Sequence, residues 1–144
     1  MRRLSNDVSQ ATGGSSDRFA VSMTRLERAL AVRAVSAVRD EWDEAEFRAR
    51  EGADRDTADR LLTALARAGT QAAPRDAFRV EMTADELLLL SNALNDVLHG
   101  MVSEHRAEHV AAERQIATSL LDDVVALIDD PLFAVTPERV STIK

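Results

Sequence analysis

The chain has 144 residues, a formal net charge of −7, an apolar fraction of 45% and no cysteine. The lack of cysteine excludes disulfides, thiol catalysis and thiolate metal sites, and the acidic balance disfavours a nucleic-acid binder because phosphates repel a negative surface. With only five Gly, three Pro, four Phe and one Trp, the composition predicts a small, mainly helical domain with a core of Leu, Val and Ala.

The N-terminal segment, residues 1–17, is rich in Ser, Gly and Thr, and we predict a disordered tail there. Its two arginines are not followed by an apolar stretch, so no signal peptide is predicted. The apolar runs elsewhere are too short to cross a bilayer, which needs about 20 apolar residues. We therefore expect a cytoplasmic protein that does not contact a membrane.

An internal repeat organises the remaining chain. With an offset of 59 residues, 19–69 match 78–128 at 13 of 51 positions, against roughly four expected from composition. We interpret this as a tandem duplication, the alternative being two unrelated amphipathic helical hairpins. The matches at the start of each copy are Phe19/Phe78, Val21/Val80, Met23/Met82, Thr24/Thr83 and Glu27/Glu86.

The first repeat unit, residues 18–70, is predicted as β-α-α. Phe19, Val21 and Met23 alternate with other residues as in a short, half-buried strand. Thr24 then suits a helix N-cap, and an apolar stripe follows it over about residues 25–39. A second helix is predicted to begin near Asp54 or Asp56 and to end before the linker, residues 71–76.

The second unit, residues 77–130, has the same predicted order. Thr83 and Glu86 form a capping box ahead of a helix over residues 84–98, which Gly100 would end. The apolar face of this helix is wide enough to contact two surfaces at once. A longer second helix is predicted over residues 103–128.

A single unit of this length buries too little surface to be stable alone. Two copies in one chain can pair their strands about a pseudo-twofold axis, with the helices over one face. The predicted fold class is therefore α+β, mainly helical: a tandem duplicated β-α-α unit with a small antiparallel sheet. The sheet would have two strands, or three if the C-terminal arm, residues 131–144, adds one.

Two stretches resemble small uncharacterised bacterial proteins. The segment TADELLLLSNALNDVLHG, residues 83–100, is similar to the helix that follows a strand in those proteins. The segment WDEAEFRAREGADRDTADRLL, residues 42–62, is similar to the stretch that comes after that helix. The two parts lie in different copies here and in reversed order. The resemblance implies no activity, because none is assigned to those proteins.

The segment HRAEH, residues 105–109, has the spacing of an inverted zinc-protease motif, in which two His hold zinc and a Glu activates water. The chain after His109 is too short for the further carboxylate ligand and the large cleft of such a protease. His105, His109 and Glu113 fall at i, i+4 and i+8, which permits a surface zinc site. We expect an exposed polar helix face, with no metal and no cofactor, and keep these three residues as weak metal candidates.

Asn92 and Asn95, in the segment SNALND, are poor helix formers inside a Leu-rich helix. Together with Asp96 they are predicted either to hydrogen-bond a partner or the other unit, or to lie on a solvated helix face. The matching positions of the first unit carry Arg, Ser and Ala, so this polar stripe is not repeated.

The segment RDEWDEAEF, residues 39–47, places the single Trp among five acids between two helices. Trp is a favoured interface anchor and acids steer a basic partner, so this segment is predicted as a recognition loop. The alternative is a Trp that folds back over the core. The predicted partner-binding residues are Glu41, Trp42, Asp43, Glu44, Glu46 and Phe47, together with Asn92, Asn95 and Asp96.

These features predict a non-enzymatic, acidic protein-interaction module whose partner is a basic protein, for example as an immunity- or inhibitor-type binder. One alternative is a small metal-dependent protein or enzyme that uses His105 and His109. Another is a structural subunit, such as a homodimer, that oligomerises through helix 84–101. No nucleic-acid or membrane partner is expected.

Overall fold

The structure, a computed structural model, describes residues 1–3, 18–70 and 77–129. The predicted linker 71–76 and C-terminal arm 131–144 lie outside these residues. The strands are β1 (Arg2–Arg3), β2 (Arg18–Thr24) and β3 (Ala77–Thr83). The helices are α1 (Arg25–Glu41), α2 (Glu44–Glu51), α3 (Arg55–Ala68), α4 (Ala84–Leu98), α5 (Glu104–Ala112) and α6 (Arg114–Ile128).

The fold is mainly helical with a small antiparallel sheet, as the sequence predicts. Phe19, Val21 and Met23 of β2 are buried, as are the matching residues of β3, because α1, α3 and α4 pack against the sheet. Each of the two long strands runs directly into a helix at a Thr N-cap. Thr24 forms a capping box with Glu27, and Thr83 forms one with Glu86.

The sheet has the order β1-β2-β3, and all neighbours are antiparallel. In the β2–β3 register Val21 lies opposite Val80. Phe19 lies opposite Met82, and Met23 lies opposite Phe78. Residues that match across the repeat are therefore arranged symmetrically about the Val21–Val80 pair.

The third strand comes from the N-terminus, where Arg2 and Arg3 pair with Ser22 and Val21. Residues 2 and 3 of the predicted disordered tail are therefore part of the sheet, whereas residues 4–17 and the C-terminal arm, from which a third strand was predicted, lie outside the described part of the chain. Pairing satisfies backbone groups on the edge of β2 that would otherwise stay open. A strand of two residues has no periodicity that sequence reasoning could detect.

Each half contains three helices after its long strand, and the predicted β-α-α unit is corrected to β-α-α-α. The predicted loop before Asp54 contains α2, which Asp43 caps through its bond to the Glu46 amide and which Gly52 ends at a φ of 69°. The single helix predicted over residues 103–128 is divided into α5 and α6 at Glu113, whose ψ of 41° is not helical.

The two halves share one hydrophobic core, with α1 and α4 packed against each other at its centre. Within each half the last helix packs on the first, α3 on α1 and α6 on α4. The middle helices cross over, since α2 packs on α4 and α5 packs on α1. The break at Glu113 lets α5 pack mainly on α1 while α6 packs mainly on α4. The described residues therefore form one domain.

Candidate functional site

Trp42 lies at the C-cap of α1 and not in an extended loop. Its side chain is half-buried and packs against the core, while the Arg50 guanidinium lies 4.8 Å from the centre of its ring. Its carbonyl oxygen accepts a hydrogen bond from the Arg55 guanidinium. The predicted packing of Trp42 against the core is therefore seen in part, and its role as an interface anchor stays a prediction. We call residues 40–47, where α1 meets α2, the acidic junction.

Phe47 is fully buried, so it cannot contact a partner and its predicted role as a partner-binding residue is wrong. It is the apolar residue by which the short helix α2 enters the shared core. Asp43, Glu44 and Glu46, which precede Phe47, therefore lie at the N-cap and in the first turn of a helix rather than in a loop.

Glu41 joins the acidic junction to α5. Its Oε1 accepts hydrogen bonds from the amide and the hydroxyl of Ser103, both at 2.8 Å, and Arg106 Nε lies 3.3 Å away. These Ser103 bonds stabilise the ionised form and hold the pKa of the Glu41 carboxyl below its usual range. Glu41 thus has an internal role, as a contact between the two halves.

The remaining acids of the junction are exposed. Asp43 accepts the Glu46 amide at 2.9 Å, Glu44 accepts the Arg55 amide at 3.3 Å, and Glu46 forms an i,i+4 ion pair with Arg50 at 2.7 Å. Exposed pairs of this kind contribute about 0–1 kcal/mol, so they leave the carboxylates available to a stronger partner. Their negative charges face solvent beside Trp42.

The predicted polar stripe of α4 is divided by the structure. The Asn92 amide donates to the Glu51 carbonyl at the end of α2 over 2.9 Å, so Asn92 bonds the other half of the chain. Asn95 is exposed, and its carbonyl oxygen lies 2.7 Å from His99 Nδ1. Asp96 is half-buried and faces the Glu51 side chain.

The pair of Glu51 and Asp96 is a site that the sequence reasoning missed. Glu51 is only 1% exposed, and neither of its carboxyl oxygens has a hydrogen-bond donor among the described residues. Burial raises the pKa of Glu51 to about 9, and the neighbouring Asp96 side chain acts in the same direction. With this pKa, the protonated form of Glu51 predominates at neutral pH.

The repeat contained a signal for this pair. At the offset of 59, Glu51 aligns with Val110 and Asp96 aligns with Ala37, and both of these apolar residues are buried. Because α2 packs on α4 as α5 packs on α1, the equivalent contact in the other half is apolar. An acid aligned with a buried Val indicates a buried acid.

The three weak metal candidates do not form a metal centre. His105 and His109 lie exposed on α5, but α5 ends at Ala112, so Glu113 falls outside the helix and the i, i+4, i+8 face is broken. No group of three His, Asp or Glu side chains within residues 1–3, 18–70 and 77–129 is placed to hold a metal ion. Instead, α5 lines an open concavity of about 800 Å³, whose polar residues are Glu104, His105 and Glu108.

The apolar face of α4 is not available to a second subunit. Leu87, Leu90 and Leu94 are fully buried because α1 and α6 cover this helix within the chain. Met101, at 47% exposure, is the large apolar residue of the 84–101 stretch that reaches solvent. Oligomerisation through this helix, predicted as one alternative, would need a face that the core already uses.

Comparisons with known protein families, characterised proteins and solved structures find no match for this chain. Among the helices of the described residues, none has the length and apolarity needed to cross a membrane.

Proposed function

We propose that the protein is a small, non-enzymatic interaction module of the cytoplasm that binds a basic protein through the acidic junction. The observation that carries this proposal is the half-exposed Trp42 beside the exposed carboxylates of Asp43, Glu44 and Glu46, all on helix ends fixed by the core. Trp is enriched among the residues that contribute most to protein interfaces, and fixed acids attract and orient a basic partner.

The Arg50 contact indicates how such a partner would bind. A guanidinium over the Trp42 ring at 4.8 Å is a cation–π arrangement, and the same side chain also holds Glu46. A Lys or Arg of the partner can replace Arg50 on the ring and on the carboxylate, since both contacts are made at the surface. The bound form would then keep the same chemistry with an intermolecular cation.

The concavity of α5 extends this surface. Ser103 bonds Glu41, and Arg106 lies within 3.9 Å of Asp40, so the beginning of α5 is held against the acidic junction. Glu104 and Glu108 then add two carboxylates beside the junction. A net charge of −7 acts in the same direction, because it accelerates association with a basic protein at low ionic strength. Neutralisation of such a protein, as an inhibitor does, is the role that this surface favours.

We also propose that the fold arose by duplication of one β-α-α-α unit. The offset of 59 relates the elements as well as the residues, because α1, α2 and α3 correspond to α4, α5 and α6 with ends that agree within two residues. Buried positions correspond too, as in Val35 and Leu94 or Leu61 and Leu120. The symmetric register about Val21 and Val80 supports the same proposal.

Selection from a random peptide library displayed on phage tests the binding proposal without a known partner. Immobilised wild-type protein is expected to enrich peptides rich in Lys and Arg. Trp42→Ala should weaken their binding by about 2 kcal/mol or more, as expected for an interface anchor. Charge reversal by Glu44→Lys with Glu46→Lys should weaken it as well, and mainly through slower association.

The matched control reverses two exposed acids, Asp122→Lys in α6 with Asp129→Lys at its C-cap, for the same change in net charge. This control should retain the selected peptides. Equal losses in both double variants would show that the attraction is only the net charge, and enrichment of peptides without basic residues would refute the proposal.

A further inference from the structure

A second cleft, of about 320 Å³, lies between α3, the beginning of β2 and the first turn of α4. Three of its residues, Arg60, Thr63 and Arg67, follow one another at helical spacing along one face of α3. Arg18 of β2 faces them from the sheet. The cleft therefore gathers three guanidinium groups and a hydroxyl from two different elements.

Two acids also line this cleft, and both have partners of their own. Asp59 is bound by the Arg39 guanidinium, with Nε at 2.6 Å from Oδ1 and Nη2 at 3.4 Å from Oδ2. Glu86 accepts the Thr83 amide at 2.9 Å as part of the capping box of α4. Asp59 is therefore paired with Arg39. Glu86 is stabilised by the N-terminus of α4, since helix N-termini favour negative charge.

The three arginines of the cleft, in contrast, have no carboxylate within ion-pair distance among the described residues. Arg60 donates one hydrogen bond, to the Thr57 hydroxyl at 3.1 Å, which leaves most of its donors available.

The chemistry of these donors selects the ligand. A guanidinium presents a planar set of N–H donors that matches two oxygens of a phosphoryl group, and arginines are the usual residues for this recognition. Three guanidiniums supply more donors than one carboxylate can accept, whereas a phosphoryl dianion offers three oxygens. The volume lies at the small end of the range for ligand sites, about 300–1,000 Å³.

We propose that this cleft binds the phosphoryl group of a small phosphorylated ligand, held by Arg18, Arg60 and Arg67, with the Thr63 hydroxyl as a further donor. This site is separate from the acidic junction, and it favours an anionic ligand whereas the junction favours a cationic one. Whether the cleft binds phosphate is therefore independent of whether the junction binds a basic protein.

Titration of the ¹⁵N-labelled full chain with inorganic phosphate at constant ionic strength tests this site by NMR. Saturable shifts of the amide signals of Arg18, Arg60, Thr63 and Arg67 are expected. Arg60→Gln and Arg67→Gln should each weaken phosphate binding by about tenfold or more, because a hydrogen bond to a charged group contributes about that much. Both side chains are exposed, so the far-UV circular dichroism of each variant should remain unchanged.

Arg33→Gln and Arg114→Gln serve as matched controls, since these arginines are also exposed but lie outside the cleft. They should bind phosphate as the wild type does. Acetate at the same ionic strength should cause no saturable shift. Shifts that do not saturate, equal losses in the control variants, or equal binding of acetate would each overturn the proposal.

Discussion

Replacement of Glu51 by Gln tests the buried acid pair. In the folded protein the pKa of Glu51 is about 9, because burial and Asp96 both oppose its ionisation, whereas the ordinary value is 4.5. Between these two values the folded state holds one proton more than the unfolded state. The free energy of unfolding of the wild type must therefore fall as the pH rises through this window.

The size of the effect follows from this proton difference. One proton corresponds to a slope of about 1.4 kcal/mol per pH unit, so the wild type should lose about 2–3 kcal/mol between pH 6 and pH 8 from this group. Gln has nearly the same shape, can donate to Asp96 and does not titrate. Glu51→Gln should therefore lack this loss, and its stability relative to the wild type should rise by about 2–3 kcal/mol between pH 6 and pH 8.

Urea unfolding followed by far-UV circular dichroism at pH 6, 7 and 8 measures this difference. Contributions of the other ionisable groups are common to both proteins and cancel when the two curves are subtracted. Glu46→Gln, on the exposed side of the same helix, is the control and should follow the wild type at each pH. Parallel curves for the wild type and Glu51→Gln would refute the assignment of a buried, protonated Glu51.

Two further predictions test the packing. Leu94→Asp should destabilise the protein by several kcal/mol, because Leu94 is fully buried and a carboxylate there has no partner. Asn95→Ala, at an exposed position, should cost less than about 1 kcal/mol. Equal losses in thermal unfolding would show that the orientation assigned to this helix is wrong. Glu41→Gln should cost about 1–2 kcal/mol by urea unfolding at pH 7, through weaker bonds to Ser103. Because the pKa of Glu41 is lowered on folding, this contribution is present above its unfolded pKa and should disappear as the pH falls through the folded value, where the two proteins should converge.

The two long strands, β2 and β3, and the helices α1 and α4 could be predicted because their signals are local. The alternation of Phe78, Val80 and Met82 and the capping box at Thr83 depend on neighbours in the chain, and the predicted helix over residues 84–98 agrees with α4 at both ends. The short helix α2 was missed although Asp43 and Glu46 have the spacing of an N-cap, because the acids around Trp42 suggested a loop. Its stability comes from Phe47 in the core, which a local pattern does not show.

The functional residues were harder to predict because their surroundings are built by distant parts of the chain. Glu41 is fixed by Ser103, 62 residues away, and Asn92 by the carbonyl of Glu51, 41 residues away. Helical spacing shows that Asn92 and Asp96 share a side of α4, but it cannot show that the end of α2 covers that side. Only the repeat, by aligning Glu51 with Val110, contained information about this contact.

The crossing of α2 and α5 also determines when the chain can fold during synthesis. Residues 18–70 leave the ribosome first, yet the apolar surfaces of α1 and α2 are covered by α4 and α5, which are made later. Until then Val35 and Phe47 must remain accessible to water or to a chaperone, since each is fully buried in the finished protein. The first half therefore gains its final structure only after translation has passed Ala112.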